Sequence, residues 1–309
     1  MRVVGFTEPG GPEVLGIHEV ADPHPGPGQV RIRVHAAAVS PTDGLMRRGL
    51  SDLSRLRPPY VPGMDAAGVV DEVGAGSRWQ VGDAVMTSAL PTGENGGAYC
   101  EYLIAADDAP ARVPAGVSFE AAATISMNGL TALQALERLA LAPGQVLAIT
   151  GAAGILGNYA IQLAKRAGLV VVADAAPKDA ELVRSLGADV VVARGSDVAD
   201  RIRQQFPDGV DGLLDAALLL EGVIPAVRDE GAFAYVRAWN PPAVRGIRFT
   251  RVLVTQEYPA GRKLDGLRQA VEDGVLTPRL AGVFPADQAA EAHRLMEGGG
   301  VRGRYVLTF

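Results

Sequence analysis

Apolar and polar positions alternate in a way that predicts a parallel sheet in the second half of the chain. Residues 146–150 form a short apolar run, which is typical of a strand buried on both faces of a sheet. The residues that follow repeat apolar positions at helical spacing as far as Gly168, which is a stop signal. Residues 169–173 form a second apolar run. The pattern therefore predicts a β-α-β unit, whose first turn occupies residues 151–157.

The same alternation continues to about residue 255 and predicts a doubly wound α/β domain. The expected helices lie at 180–186, 198–205 and 219–227. The expected strands lie at 190–193, 212–215, 232–236 and 252–255.

The first part of the chain predicts a β-rich domain, because short strand patterns there are separated by Gly and Pro clusters. These strand patterns lie at 2–6, 30–36, 67–73 and 84–87. A helix is expected at 119–139, two amphipathic helices at 264–273 and 287–297, and a closing strand at 305–308. We expect the closing strand to return to the first domain. The predicted domains are therefore residues 1–118 with 258–309, and residues 119–257.

Composition and charge narrow the function classes. The 309 residues carry a net charge of −6, and no run of Lys or Arg indicates a nucleic-acid surface. No apolar stretch approaches the roughly 20 residues that cross a bilayer, and the N-terminal residues enter a strand pattern without a signal-peptide pattern. The single Cys100 excludes an internal disulfide and a multi-thiolate zinc site. We expect a cytoplasmic protein without nucleic-acid or membrane partners.

The turn after the first apolar run carries the strongest functional signal. Ala152, Gly154 and Gly157 occupy the three small-residue positions of the dinucleotide fingerprint. The second position lets the backbone approach a pyrophosphate, the third allows close helix packing, and the helix N-terminus attracts the phosphates. The residues predicted to bind the cofactor here are Ala153, Gly154, Ile155, Leu156 and Gly157.

Motifs along nearly the whole chain resemble those of one family. They are 36–43 (AAAVSPTD), 62–70 (PGMDAAGVV), 81–83 (VGD), 97–102 (GAYCEY), 130–132 (LTA), the turn at 151–157, 186–189 (LGAD) and 301–304 (VRGR). The chain is thereby similar to zinc-free members of the medium-chain dehydrogenase/reductase superfamily, of the quinone oxidoreductase type. The resemblance implies a GroES-like domain, a Rossmann domain, a cleft between them and a homodimer formed through the Rossmann sheet.

The same resemblance bears on metal binding. Zinc relatives have a thiolate where Ser40 stands and an imidazole where Met64 stands, and neither residue here is a good zinc ligand. The four histidines lack ligand spacing and are interpreted as surface or turn residues. We predict no metal.

The chemistry expected without a metal is hydride transfer to a quinone or an α,β-unsaturated carbonyl. The enolate or phenolate charge that develops needs hydrogen-bond donors. The predicted catalytic residues are Ser40, Asp43, Tyr60 and Asn128, and Thr42 is a further donor. Asp43 is interpreted more readily as a structural acceptor than as an acid, because an ionised carboxylate has no proton to give.

Other positions bear on the same proton-donating role. Where many relatives carry a tyrosine donor, this chain has Leu45, which places that donor in question. Tyr99 and Tyr102 are interpreted as packing residues.

The residues at the positions that select the cofactor include some that favour NAD and some that favour NADP. Asp174 lies near where an acid binds the ribose hydroxyls of NAD. Lys178 and Arg194 lie where relatives place groups that bind the 2′-phosphate of NADP, and Arg binds phosphate well. By a small margin these residues favour NADPH over NADH. Thr131 and Arg237 complete the predicted cofactor-binding set, and Arg237 stands where relatives commonly have Gly.

Two function classes stay open from the sequence. The first is an NAD(P)H-dependent reductase of small-molecule quinones or enones. The second is a dinucleotide-binding sensor or structural protein with little catalysis. Its only support comes from Leu45 and from Ser40, which stands where the family usually has Asn. Oxidation of simple alcohols fits poorly without zinc.

Overall fold

The computed structural model describes all 309 residues, and its contacts divide the chain into two compact units. Unit 1 comprises Met1–Met127, Glu257–Gly274 and Pro278–Phe309. Unit 2 comprises Asn128–Gln256 and Val275–Thr277. None of the helices combines the length and the apolar character that a membrane span requires.

Fifteen strands form the sheets of the two units. They are β1 (Arg2–Gly5), β2 (Gly16–Glu19), β3 (Gln29–Ala38), β4 (Asp65–Val73), β5 (Ala84–Ser88), β6 (Tyr102–Ala106), β7 (Ala111–Arg112), β8 (Val146–Thr150), β9 (Val170–Ala175), β10 (Val190–Ala193), β11 (Val210–Asp215), β12 (Val227–Tyr235), β13 (Arg248–Arg251), β14 (Leu280–Pro285) and β15 (Arg304–Thr308).

Eight α-helices accompany them. They are α1 (Pro41–Arg47), α2 (Phe119–Ala122), α3 (Ser126–Leu139), α4 (Ile155–Arg166), α5 (Ala180–Ser185), α6 (Val198–Gln205), α7 (Gly261–Glu272) and α8 (Ala289–Glu297).

Unit 1 is built on a seven-stranded sheet in the order β14-β15-β3-β4-β5-β7, with β6 also paired to β3. The closing strand β15 runs antiparallel to β3, so it returns to the sheet of the first part of the chain, where the sequence pattern placed it. One core cluster lies around Phe6, Val34, Tyr99 and Leu307, and a second lies around Val30 and other apolar residues of the same sheet.

Unit 2 is built on six parallel strands in the order β10-β9-β8-β11-β12-β13. This order confirms the predicted doubly wound fold. It reverses direction between β8 and β11, and ligands of open parallel sheets bind outside the carboxyl ends of the strands at such a reversal.

Several predicted elements were wrong or incomplete. The strand expected at 252–255 is displaced to β13, and Val254–Glu257 forms a 3-10 helix instead. The helix expected at 219–227 is a 3-10 helix at Leu220–Ala226, which contains a proline and runs straight into β12. The helix expected at 119–139 is two helices, α2 and α3. Apolar runs of four to eight residues fit both strands and short helices, so their spacing does not separate the two.

Candidate functional site

In unit 2, the turn that follows β8 begins at a position that only glycine fills without strain. Gly151 has a φ of +67°. A Cβ there would lie 3.1 Å from both the carbonyl carbon of Ala216 and the nitrogen of Ala217. The turn after β8 is therefore packed directly against the turn after β11, at the reversal of strand order.

The rest of this turn is open to a ligand at the start of α4. Gly154 caps α4 without any side-chain hydrogen bond, so no cap side chain occupies the amides of the first helical turn. A Cβ on Gly157 would lie only 2.6 Å from the Cα of Ala152, so the helix can approach the turn only without a side chain. The other residues predicted to bind the cofactor here, Ala153, Ile155 and Leu156, are all half-buried. These residues fit a dinucleotide diphosphate.

A buried pair joins the two strand ends at the reversal, and sequence reasoning missed it. Thr150 Oγ1 donates to Asp215 Oδ1 at 2.6 Å. Asp215 also accepts from the nitrogens of Leu219 at 3.1 Å and Leu220 at 2.8 Å. Leu218 and Leu220 have φ values of 62° and 52°, which L-residues rarely adopt. Asp215 thus holds a strained turn beside the dinucleotide turn, and the only signal in the sequence was an acid at the end of an apolar run.

Among the residues predicted to select the cofactor, Asp174 lies within β9 rather than after it. Asp174 is buried and its Oδ1 accepts from the Ala152 nitrogen at 3.1 Å. Burial raises the pKa of Asp174, while the Ala152 hydrogen bond and the Arg194 charge oppose that rise. Lys178 and Arg194 are exposed. Arg237 lies just beyond β12 and is half-buried.

Asn128 and Thr131 lie one turn apart on α3, and both belong to unit 2. Asn128 is 5% exposed and its Nδ2 has no hydrogen-bond partner within the protein. A buried amide donor without a partner costs about 1–3 kcal/mol. Asn128 therefore offers an unused donor to an incoming acceptor.

In unit 1, Ser40 and Asp43 form a capping box at the start of α1. Ser40 Oγ accepts from the Thr42 nitrogen at 3.3 Å, and Asp43 Oδ2 accepts from the Ser40 nitrogen at 2.7 Å. Asp43 Oδ1 also accepts from the Gly63 nitrogen at 3.1 Å. Ser40 and Asp43 are fully buried. Asp43 therefore connects the start of α1 to the chain that enters β4.

The interpretation of Tyr99 as a packing residue alone, and of His293 as a surface or turn residue, was wrong. Tyr99 Oη donates to Asp43 Oδ2 at 3.0 Å and lies 3.1 Å from His293 Nε2. Both side chains are completely buried. Three residues from distant parts of the chain thus come together through the tertiary fold, which spacing along the sequence could not reveal.

A second buried carboxylate, Asp65, lies in the same unit. Its Oδ1 accepts from the Met127 nitrogen, and its Oδ2 has no hydrogen-bond partner. Burial raises the pKa of Asp65 to about 7, and the Asp43 charge adds to the effect while Arg304 opposes it. Burial raises the pKa of Asp43 only to about 6, because three hydrogen bonds favour its ionised form.

Tyr60 and Leu45 lie outside the capping box formed by Ser40 and Asp43. The Tyr60 ring packs on Phe6 at a centroid distance of 5.4 Å, at the edge of the core cluster around Tyr99. Leu45 lies half-buried on α1.

The side chains at the zinc positions do not suit a zinc ion. Ser40 Oγ is engaged as a helix cap, and Met64 offers only a buried thioether, which is a poor zinc ligand. The structure contains no group of three or more His, Cys, Asp or Glu side chains that could hold a metal.

Comparison with known proteins agrees with this architecture. Residues 26–115 match the alcohol dehydrogenase GroES-like domain, and residues 186–307 match the family described as zinc-binding dehydrogenase. Human quinone oxidoreductase is 31% identical over 99% of this chain and 97% of its own length. The chain belongs to the medium-chain dehydrogenase/reductase superfamily, quinone oxidoreductase type.

Two further relatives extend the comparison for this oxidoreductase. The chloroplastic NADPH-dependent alkenal/one oxidoreductase of Arabidopsis thaliana is 30% identical over 99% of the chain and 79% of its own length. The crystal structure of an NAD-dependent alcohol dehydrogenase superposes with a TM-score of 0.88, at 31% identity and full coverage of both chains. As a member of this superfamily, the protein is an oxidoreductase that uses NAD(P)H.

Proposed function

We propose that this oxidoreductase reduces a small-molecule quinone or α,β-unsaturated carbonyl with NADPH and without a metal. The observation that carries the proposal is the turn at residues 151–157, where Gly151 and Gly157 leave no room for a side chain and the start of α4 has no capping side chain. The names of the quinone and alkenal/one oxidoreductase relatives supply the substrate class.

The reduced nicotinamide supplies a hydride when it is bound. The protein then has to stabilise negative charge on an enolate or phenolate oxygen, and for this charge hydrogen-bond donors can suffice. Asn128 is the donor that the structure favours, because its buried Nδ2 has no partner. The buried Ser40 and Asp43 fit a different role, which is to fix the start of α1.

Replacing Asn128 with leucine is expected to lower kcat at least about tenfold while leaving thermal stability unchanged or raised. Removing an unpartnered buried donor relieves its desolvation cost in the resting protein but removes it from the charged transition state. Steady-state kinetics and thermal melting check both effects. The control is Ser126→Ala, which removes another buried atom without a partner near the start of α3 and should leave kcat unchanged. Equal losses in both variants would count against a specific role for Asn128.

One screen separates this proposal from the other function classes. Oxidation of NADPH and NADH is followed with 1,4-benzoquinone, an enone, an enoyl thioester and a simple ketone. Turnover with the first three classes supports the reductase. Enhanced nucleotide fluorescence without turnover would support a dinucleotide-binding sensor, and turnover with the ketone alone would indicate alcohol dehydrogenase chemistry.

The preference for NADPH rests on the exposed cations Lys178 and Arg194. Arg194 acts electrostatically on Asp174, so a 2′-phosphate near that carboxylate would meet an arginine as well. We expect Lys178→Ala with Arg194→Ala to raise KM for NADPH about tenfold and leave KM for NADH nearly unchanged. The control is Arg184→Ala, an exposed arginine on α5. Equal changes for both nucleotides would remove the assignment.

We also propose that the protein forms a homodimer through its Rossmann sheet and that it is cytoplasmic. Strand β13 is the last of the six strands and pairs only with β12, so its other edge can accept a strand from a second copy. The single buried thiol of Cys100 suits the reducing cytoplasm. Light scattering on the purified protein, compared with a Thr250→Pro variant that interrupts the β13 edge, tests the dimer.

A further inference from the structure

We propose that Tyr99 and His293 are positioning residues that act through Asp43. A one-way chain of hydrogen bonds, from His293 Nε2–H to Tyr99 Oη and from Tyr99 Oη–H to Asp43 Oδ2, fixes the carboxylate that joins α1 to the chain entering β4. The inference deepens the proposed reductase function. Only its kinetic consequences rest on that function; the direction of the hydrogen bonds does not.

The direction of the chain follows from counting donors at Asp43. The backbone nitrogens of Ser40 and Gly63 can only donate, and they donate to the two carboxylate oxygens at 2.7 and 3.1 Å. Two such donors favour the ionised carboxylate, which can only accept. The hydroxyl hydrogen of Tyr99 therefore points to Asp43 Oδ2, 3.0 Å away.

The tautomer of His293 then follows. Since the hydrogen of Tyr99 is committed to Asp43, the 3.1 Å contact with His293 Nε2 requires that Nε2 carry the hydrogen. His293 Nδ1 is buried and has no hydrogen-bond partner. A bare lone pair is tolerated there better than an orphaned N–H. The reverse chain would leave an N–H group buried without an acceptor.

Charged groups surround the hydrogen-bond chain that runs from His293 through Tyr99 to Asp43. The charges of Asp43, of Asp65 on β4 and of Arg304 on β15 act on Tyr99. His293 faces Tyr99, and the positive charges of Arg47 and Arg48 act on its ring. Both arginines contact Glu297, which lies on the same helix as His293. Complete burial and two nearby cations keep the imidazole neutral, and its pKa is lowered to about 3.

The functional consequence is a pH limit on activity. When Asp43 takes up a proton, its hold on the Ser40 and Gly63 nitrogens weakens and the start of α1 loosens. Tyr99 supplies one of the three hydrogen bonds that keep Asp43 ionised. Losing a hydrogen bond to a charged group changes an equilibrium constant about tenfold or more, so the acid limb of kcat/KM depends on Tyr99.

The test compares Tyr99→Phe, His293→Leu and the control Tyr102→Phe, a tyrosine that instead packs beneath Arg31. For Tyr99→Phe we expect the acid limb to move up by about one pH unit and kcat to fall about tenfold, with KM little changed. His293→Leu is expected to move the limb in the same direction by less, and Tyr102→Phe to leave it in place. An unmoved limb in a folded Tyr99→Phe protein would overturn the proposal.

A second measurement, NMR of the wild-type protein, requires neither enzymatic turnover nor a folded variant. Nitrogen-15 NMR of the wild-type protein is expected to show His293 as the neutral Nε2–H tautomer between pH 6 and 8. An Nδ1–H tautomer or a protonated ring would overturn the proposed direction. If the wild-type protein fails to oxidise NADPH in the presence of any tested quinone or enone, the proposed function fails. The NMR spectrum still decides the direction of the hydrogen-bond chain in that case.

Discussion

Replacing Gly157 with alanine is expected to raise the dissociation constant for NADPH about 100-fold, which corresponds to about 2.7 kcal/mol. The new Cβ would lie 2.6 Å from both the Ala152 Cα and the Gly151 carbonyl oxygen. Both neighbours are backbone atoms, so the turn itself has to move. Because the proposed function places the diphosphate against the backbone of this turn, the displacement is expected to act directly on binding. Nucleotide fluorescence titration measures the effect.

The matched control is Gly266→Ala. Gly266 also lies within a helix, α7, but a Cβ there meets no atom within 4 Å. Alanine in an open helical position is expected to stabilise the fold by about 0.5–1 kcal/mol and to leave nucleotide binding unchanged. If Gly157→Ala binds both nucleotides as tightly as the wild type, the turn is not the diphosphate site and the proposed function loses its main support.

The second large effect concerns the pH dependence of stability, and its source is Asp65. The folded pKa of about 7 lies above the ordinary value of about 3.9, because burial disfavours the charged form. The folded state therefore retains a proton that the unfolded state releases. The stabilisation is complete below about pH 4 and is lost as the pH rises to about 7. A pKa difference of about three between the folded and unfolded states corresponds to about 4 kcal/mol.

Asp65→Asn is expected to remove most of this slope. The amide oxygen of asparagine can still accept from the Met127 nitrogen, but the side chain cannot ionise. Denaturant unfolding between pH 5 and 9 should show wild-type stability falling up to about pH 7 and levelling off above it, with a much flatter profile for Asp65→Asn. Asp43, whose pKa is about 6, accounts for a smaller residual slope.

Asp197→Asn provides the control for Asp65. Asp197 is an exposed carboxylate in an ion pair with Arg201, and its pKa is lowered by that contact. It is therefore ionised throughout pH 5 to 9 in both states and contributes no slope there. A wild-type profile that is flat over this range would show that the Asp65 carboxylate does not retain its proton in the folded protein.

The glycine turn between β8 and α4 could be predicted because its determinants are local. An apolar run, small residues at fixed spacing and a following helix lie within one stretch of chain, and the structure shows them as β8, the turn and α4. The doubly wound sheet was predictable for the same reason, since each strand and helix has its own hydrophobic period.

The unit 1 network could not be predicted, because its members are far apart in the sequence. Asp43, Tyr99 and His293 come from α1, the chain before β6 and α8. The residue type alone does not show whether an Asp, Tyr or His is buried or which groups it contacts. Likewise, Asn128 was singled out as a donor, but only the structure shows that its Nδ2 lacks a partner.

The sequence by itself determined the parallel sheet and the glycine turn after β8, because hydrophobic period and glycine spacing are properties of contiguous residues, and its motifs carried the family resemblance. The tertiary structure alone decided which polar groups are buried together. It placed Asp65 without a partner for Oδ2, directed Tyr99 toward Asp43, and paired Thr150 with Asp215. The physical reason is that desolvation and hydrogen-bond direction depend on every neighbour in space, whatever its distance along the chain.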